Sequence, residues 1–392
     1  MFAHRADGRA VASASVPPRP FAIDVPDAVL EDLRERLART RWPEPIDGAG
    51  WDYGAAVDYV RELCDHWRER YDWRQWERRL NQIPGFLCEV DGTEVHFWHL
   101  RGAGPAPMAL LLLHGWPGSM AEFLELVGPL TDPAAHGGDP ADAFDVVVPA
   151  LPGFGFGGRP RDRGWGVSRI AAAFDTLMSE ELGYSRYGVQ GGDWGSFIAA
   201  KLGATFPERV AGIHLNFIGA PPPEHPGPED ADALQRLSHW RRREAAYQQL
   251  QSTRPDSVTM AQSDSPAGLA AWVVEKFRRW SDCDGDVERA FARDVLLTNL
   301  MFYWAPNSTA SAARIYYESA QDPDGIARRP RVEVPVGYAA FPHEIVRPPR
   351  HWVEPHYAIA RWTEMPRGGH FAALEQPALL LDDVRAFFRP LR

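Results

Sequence analysis

The sequence predicts an α/β fold: a mostly parallel sheet flanked by helices, with a helical cap between two groups of strands and an N-terminal extension ahead of them. Three observations predict it. The continuous apolar run Met108–Leu113 and the strand-like segment Val210–Leu215 suit strands buried on both faces of a parallel sheet. Amphipathic helical segments alternate with those runs, as crossover connections require. Gly191-Gly192-Asp193-Trp194-Gly195 joins one such strand to a helix through a tight glycine turn. The resulting partition is a flexible tail at 1–19, the extension at 20–101, a first core half at 102–217, the cap at 218–327 and a second core half at 328–392.

In chain order, Asp27 reads as the N-cap of a helix with Leu30, Leu33 and Leu37 on one face. A second helix carries Val57, Val60, Leu63, Cys64 and Trp67 at similar spacing. Asp91-Gly92 joins two strands over 86–100, a hairpin signal. This region is dense in aromatics (Trp42, Trp51, Tyr53, Trp67, Tyr71, Trp73, Trp76) but holds no nucleophile, general acid or ligand cluster. It reads as packing. Strands at 108–113 and 144–148 open the sheet, and 170–182 reads as a crossover helix with Ile170, Phe174, Leu177 and Met178 on one side. A strand at 187–190 feeds the glycine turn, a helix at 196–205 follows, and 210–215 is another buried strand. From 218 the alternation stops. Helices are predicted at 269–280 and 287–304, the first started by Ser265-Pro266 with Asp264 or Ser265 as cap. Strands return at 332–338 and 358–365, and a helix at 379–388 closes the chain.

Bulk properties exclude several classes of function. A net charge of −11 weighs against nucleic acid or an anionic membrane as the main partner. Basic charge is almost all arginine; lysine stands only at 201 and 276. Cys64, Cys88 and Cys283 are odd in number and widely spaced, with neither metal nor disulfide pattern, so a reducing cytoplasm is expected. The first 19 residues lack an apolar core, and no long apolar run occurs, so neither signal peptide nor membrane anchor is read.

The turn at 191–195 has the G-x-S-x-G spacing of the nucleophile elbow of α/β-hydrolases, with Asp193 in place of serine. A carboxylate does not suit acyl transfer by the serine route. It can displace a leaving group at an sp³ carbon and form an alkyl-enzyme ester. Leu113-His114-Gly115-Trp116-Pro117-Gly118 directly follows the first long strand, so the Trp116 N–H can face a developing oxyanion. The Trp194 N–H, next after the nucleophile, supplies the second donor. His370, in Gly368-Gly369-His370-Phe371 after the last strand, is the candidate base, because this fold orders its triad nucleophile, acid, histidine. Glu344, just past the preceding strand, can orient that histidine. Its rivals are Glu333, inside a strand, and Glu354, on an exposed loop. Tyrosine O–H can protonate an alkoxide, and Tyr247 and Tyr316 stand out in the cap; spacing does not separate Tyr316 from Tyr317.

Those motifs, with Thr40-Arg41-Trp42-Pro43, Ile83-Pro84-Gly85-Phe86, Leu151-Pro152-Gly153-Phe154-Gly155-Phe156, Ser252-Thr253-Arg254-Pro255-Asp256 and Asp264-Ser265-Pro266-Ala267-Gly268, carry a resemblance. From Pro20 onward the chain resembles epoxide hydrolases of the microsomal type. The resemblance implies Asp193 as nucleophile, His370 paired with Glu344 as base, and Tyr247 and Tyr316 as epoxide-binding acids. It implies an epoxide and water as reactants, a vicinal diol as product, and no metal or cofactor. Aromatic content suggests a bulky or aryl epoxide. A homodimer enters only by analogy, and roles in detoxification, catabolism and secondary metabolism stay open. The membrane-bound relatives begin with an anchoring helix that is not read here. His343 stands beside the acid without an assigned role. The alternative is a haloalkane dehalogenase, which shares the Asp nucleophile and binds halide through a following Trp such as Trp194. A non-catalytic binding protein is disfavoured by the intact set Asp193, Glu344 and His370.

Overall fold

In a computed structural model that describes residues 17–325 and 330–392, nine strands form one sheet in the order β1-β2-β3-β5-β4-β6-β7-β8-β9. They are β1 (Arg19–Pro20), β2 (Gly85–Val90), β3 (Thr93–Leu100), β4 (Met108–Leu113), β5 (Phe144–Pro149), β6 (Tyr187–Gly191), β7 (Val210–Leu215), β8 (Val332–Ala340) and β9 (Tyr357–Glu364). The pairs β1–β2, β2–β3 and β3–β5 are antiparallel, and every pair from β5 to β9 is parallel. Most of the tail at 1–19, and the expected cap end at 327, lie outside the described residues.

Burial explains the strand composition. Leu110, Leu111, Leu112 and Leu113 of β4 are at most 1 % exposed, because helices cover both sheet faces. Each leucine contributes roughly 1.5–3 kcal/mol of transfer free energy. The helices from Ala231–Arg243 to Thr309–Gln321 lie between β7 and β8 in the chain. The N-terminal region is tied to that block: Tyr71 Oη meets Thr298 Oγ1 at 2.9 Å, His66 Nε2 meets Asp294 Oδ1 at 2.7 Å, and Arg36 reaches Asp264 at 2.6 Å.

Several local expectations change. Asp27 is the first residue of helix Asp27–Ala38, not its cap; Pro26 holds the cap position with no side-chain bond. The fixed φ of Pro26 supplies the entry geometry instead. The helix expected over 287–304 is broken into a 3₁₀ turn, Val287–Arg289, and a helix, Arg293–Trp304. No proline or glycine forces the break. Phe291 is turned inward there, with its ring 5.3 Å from Phe277 and 6.1 Å from Phe371. The crossover helix starts earlier, at Val167, and closes in a π-helical turn, Leu177–Glu181. Ser265 does cap helix Pro266–Trp280, accepting from the Gly268 N–H at 3.0 Å.

Candidate active site

Asp193 begins helix Asp193–Thr205 directly after β6, with φ at +45°. A non-glycine residue there is strained, and the surrounding structure must hold it. Close approach explains the neighbouring glycines. A Cβ on Gly195 would lie 2.2 Å from Leu113 O, and one on Gly115 would lie 2.1 Å from Asp193 Oδ1. The turn therefore packs against the end of β4 and brings the carboxylate to the 114–118 loop.

One carboxylate oxygen, Oδ1, accepts from the Trp116 N–H at 2.9 Å. The other, Oδ2, lies 3.3 Å from His370 Nε2. His370 Nδ1 meets Glu344 Oε1 at 2.6 Å, and the same oxygen accepts from the Ile345 N–H at 2.7 Å. His370 thus touches both Asp193 and Glu344. Burial alone would lower the His370 pKa, but the charges of Glu344 and Asp193 outweigh it and push the imidazolium well above the ordinary histidine range. Glu333 is exposed on β8 beside Arg331, and Glu354 pairs with Arg350; neither reaches His370. His343 is half-exposed and faces Asp282 at 3.2 Å.

Tyr247 and Tyr316 are buried, 5 % and 3 % exposed, with ring centroids 5.9 Å apart. Tyr247 stacks on Trp116 at 5.3 Å, and Tyr316 stands edge-on to Trp194 at 4.7 Å. Burial pushes both phenols well above their ordinary range, followed by the Asp193 charge for Tyr247 and by Tyr247 and then Asp193 for Tyr316, so they are O–H donors at neutral pH. Tyr317 instead lines a separate surface groove with Arg254, Asp256 and Arg314. The 114–118 loop is pinned by helix Arg293–Trp304, where Tyr303 Oη donates to Gly118 O at 2.6 Å and Asn299 Nδ2 to Pro117 O at 2.8 Å.

Three participants escaped the sequence reading. Asn216, at the end of β7, accepts from Gln190 Nε2 at 2.8 Å and donates to His370 O at 3.4 Å. Trp280 O accepts from the His370 N–H at 2.9 Å, tying the His370 loop to helix Pro266–Trp280. Glu122 lines the same small cavity as Asp193, His370 and Asn216. A Cβ on Gly118 would fall 1.5 Å from Glu122 Oε1, so glycine is what admits the carboxyl. Burial pushes Glu122 up to about 8, against the opposing charge of His370.

This shift has a checkable sign. Between the usual carboxylate range and about 8, the folded state holds a proton that the unfolded chain releases. Stability therefore falls as pH rises through that window. Urea unfolding of Glu122→Gln should show the variant gaining roughly 3 kcal/mol on the parent between pH 5 and pH 8. Parallel pH profiles for the two proteins would contradict it.

A groove of about 840 Å³ reaches Tyr247 from the surface, past Trp51, Tyr53, Arg243, Trp272 and Lys276. Among the described residues there is no group of His, Cys, Asp or Glu able to hold a metal, and no helix long and apolar enough to cross a membrane.

Comparison with known proteins fits this geometry. Residues 18–123 match the family model described as the epoxide hydrolase N terminus, and residues 108–377 match the alpha/beta hydrolase fold. The chain is 44% identical to a putative epoxide hydrolase of Stigmatella aurantiaca (strain DW4/3-1), over 95% of this chain and 85% of that protein. It is 34% identical to epoxide hydrolase 1 of Oryctolagus cuniculus, over 94% and 88%. Its fold is similar to that of the juvenile hormone epoxide hydrolase of the silkworm Bombyx mori, with TM-score 0.86, 29% identity and coverage of 96% and 95%. It is also similar to Aspergillus niger epoxide hydrolase, with TM-score 0.85, 31% identity and coverage of 97% and 98%. These likenesses do not favour the dehalogenase alternative. A carboxylate on a strained turn, a paired histidine beside it and a matching N-terminal region converge: the chain belongs to the microsomal-type epoxide hydrolases of the α/β-hydrolase fold.

Proposed function

We propose that Asp193 is the nucleophile, that His370 with Glu344 is the base, that Tyr247 and Tyr316 are the epoxide acids, and that the N–H groups of Trp116 and Trp194 form the oxyanion hole. The observation that carries this reading is the division of labour on one carboxylate: Oδ1 rests on the Trp116 N–H while Oδ2 is left beside His370. Oδ2 attacks a ring carbon, the C–O bond breaks, and the epoxide oxygen takes a tyrosine proton. The product is a neutral hydroxy-alkyl ester. Loss of the Asp193 charge removes one of the two causes that hold His370 protonated. The imidazolium then gives its own proton to the tyrosinate, and the neutral imidazole takes a proton from water. Hydroxide attacks the ester carbonyl, whose oxygen Oδ1 already lies in the oxyanion hole. Collapse expels the alkoxide, which takes the proton of the new carboxyl. Asp193 and the His370 imidazolium are restored.

Single turnover in H₂¹⁸O tests the ester. The expected result is unlabelled diol and label in Asp193; label in the diol alone refutes it. We read the helical block between β7 and β8 as the cap, with bounds 218–327, and the aromatic wall of the groove as favouring bulky or aryl epoxides. A panel of aryl and aliphatic epoxides, with diol analysis, tests that preference. A cytoplasmic location and a homodimer complete the reading; light scattering tests the latter.

A further inference from the structure

Among 42 basic side chains only two are lysine, and one of them, Lys276, sits against the site. It lies in helix Pro266–Trp280 and its side chain is 9% exposed. Nζ is 5.0 Å from the Tyr247 ring centroid, 5.9 Å from Trp272 and 6.0 Å from Trp280. Its carboxylate neighbour is Glu275. Both Lys276 and Tyr247 line the surface groove described above. The carboxylates facing Tyr247, namely Asp193, Glu344 and Glu244, all oppose charge on its phenol. Lys276 is the ammonium that faces it from the other sign.

We propose that Lys276 is a positioning residue for ring opening, its ammonium acting through the face of Tyr247 to ease transfer of the phenol proton to the epoxide oxygen. A cation over an aromatic face is attracted by the ring quadrupole. The attraction grows when the ring carries phenolate charge, because the monopole adds to the quadrupole. The contact is therefore stronger in the transition state than in the ground state, which is the condition for accelerating a step. The side chain is only 9% exposed, so bulk water screens the attraction less than it would at the surface. The step itself is that of the mechanism above: the Asp193–carbon bond forms, the ring C–O bond breaks, and the Tyr247 proton moves to the freed oxygen. The inference rests on the reading of Tyr247 as an acid.

A double-mutant cycle separates the two claims. Lys276→Met, with Lys276→Gln as a second neutral variant should the first misfold, is compared in the parent and in Tyr247→Phe. Pre-steady-state ester formation should slow roughly tenfold in the parent background, with ester hydrolysis unchanged. The loss should shrink with epoxides whose oxygen is a better leaving group, and should vanish in Tyr247→Phe. An equal loss in both backgrounds, or a loss confined to ester hydrolysis, overturns the role of Lys276 while leaving Tyr247 intact. Unchanged ring opening in Tyr247→Phe overturns both.

Discussion

His370→Gln turns the enzyme into one that opens its epoxide once and stops. In the proposed mechanism ring opening needs the Asp193 carboxylate and an acid, and both survive the substitution. Ester hydrolysis needs a base to take a proton from water, and removing a positioned base costs roughly 10²–10⁴ in rate. Glutamine also cannot pair with Glu344 as an imidazolium does, which leaves that carboxylate buried without its 2.6 Å partner. Intact-mass measurement should therefore find one equivalent of substrate bound, and peptide mapping should place it on Asp193. Asp193→Ala should form neither adduct nor diol. An unmodified His370→Gln protein, exposed to an epoxide that the parent turns over, would refute the ester mechanism.

Removing both acids has the next largest effect, and it falls on the other half-reaction. Tyr247 and Tyr316 are buried against Trp116 and Trp194, so no solvent donor replaces a lost hydroxyl cheaply. Each Tyr→Phe change should slow ester formation by about 10²-fold, the scale for one preorganised donor in a dry site. The double variant should fall below detection. The indoles of Trp116 and Trp194 lie beside the reacting groups, so stopped-flow fluorescence can follow the ester directly. Tyr317→Phe should behave as the parent, because that side chain faces a separate surface groove. A large loss on altering Tyr317 would instead point to a different arrangement of acids.

Much of the proposed catalytic set was legible because its signals are local. A strand, a glycine-bounded turn and a helix specify the elbow within a few residues, and the steric reason is visible at Gly115 and Gly195. Glu344 and His370 were readable from where strands end. Tyr316 could be set apart from Tyr317 only through the resemblance, since adjacent helical positions point about 100° apart and nothing local says which way is inward. Glu122 carries no local signal of its own: only the approach of the 114–118 loop to Asp193 and His370 brings it to the cavity.

What the residue order by itself determined was the alternation of elements, the turn that raises Asp193 and the chain order of the triad, because these depend on short-range sterics and hydrophobic periodicity. The tertiary structure alone decided which groups share the cavity. It turned Phe291 inward and broke a helix that periodicity ran straight through, and it set Asn216 and Trp280 around the His370 loop. It also laid Lys276 over the Tyr247 ring. The reason is physical: a contact across tens or hundreds of residues is fixed by how whole elements pack, and no local propensity encodes that packing.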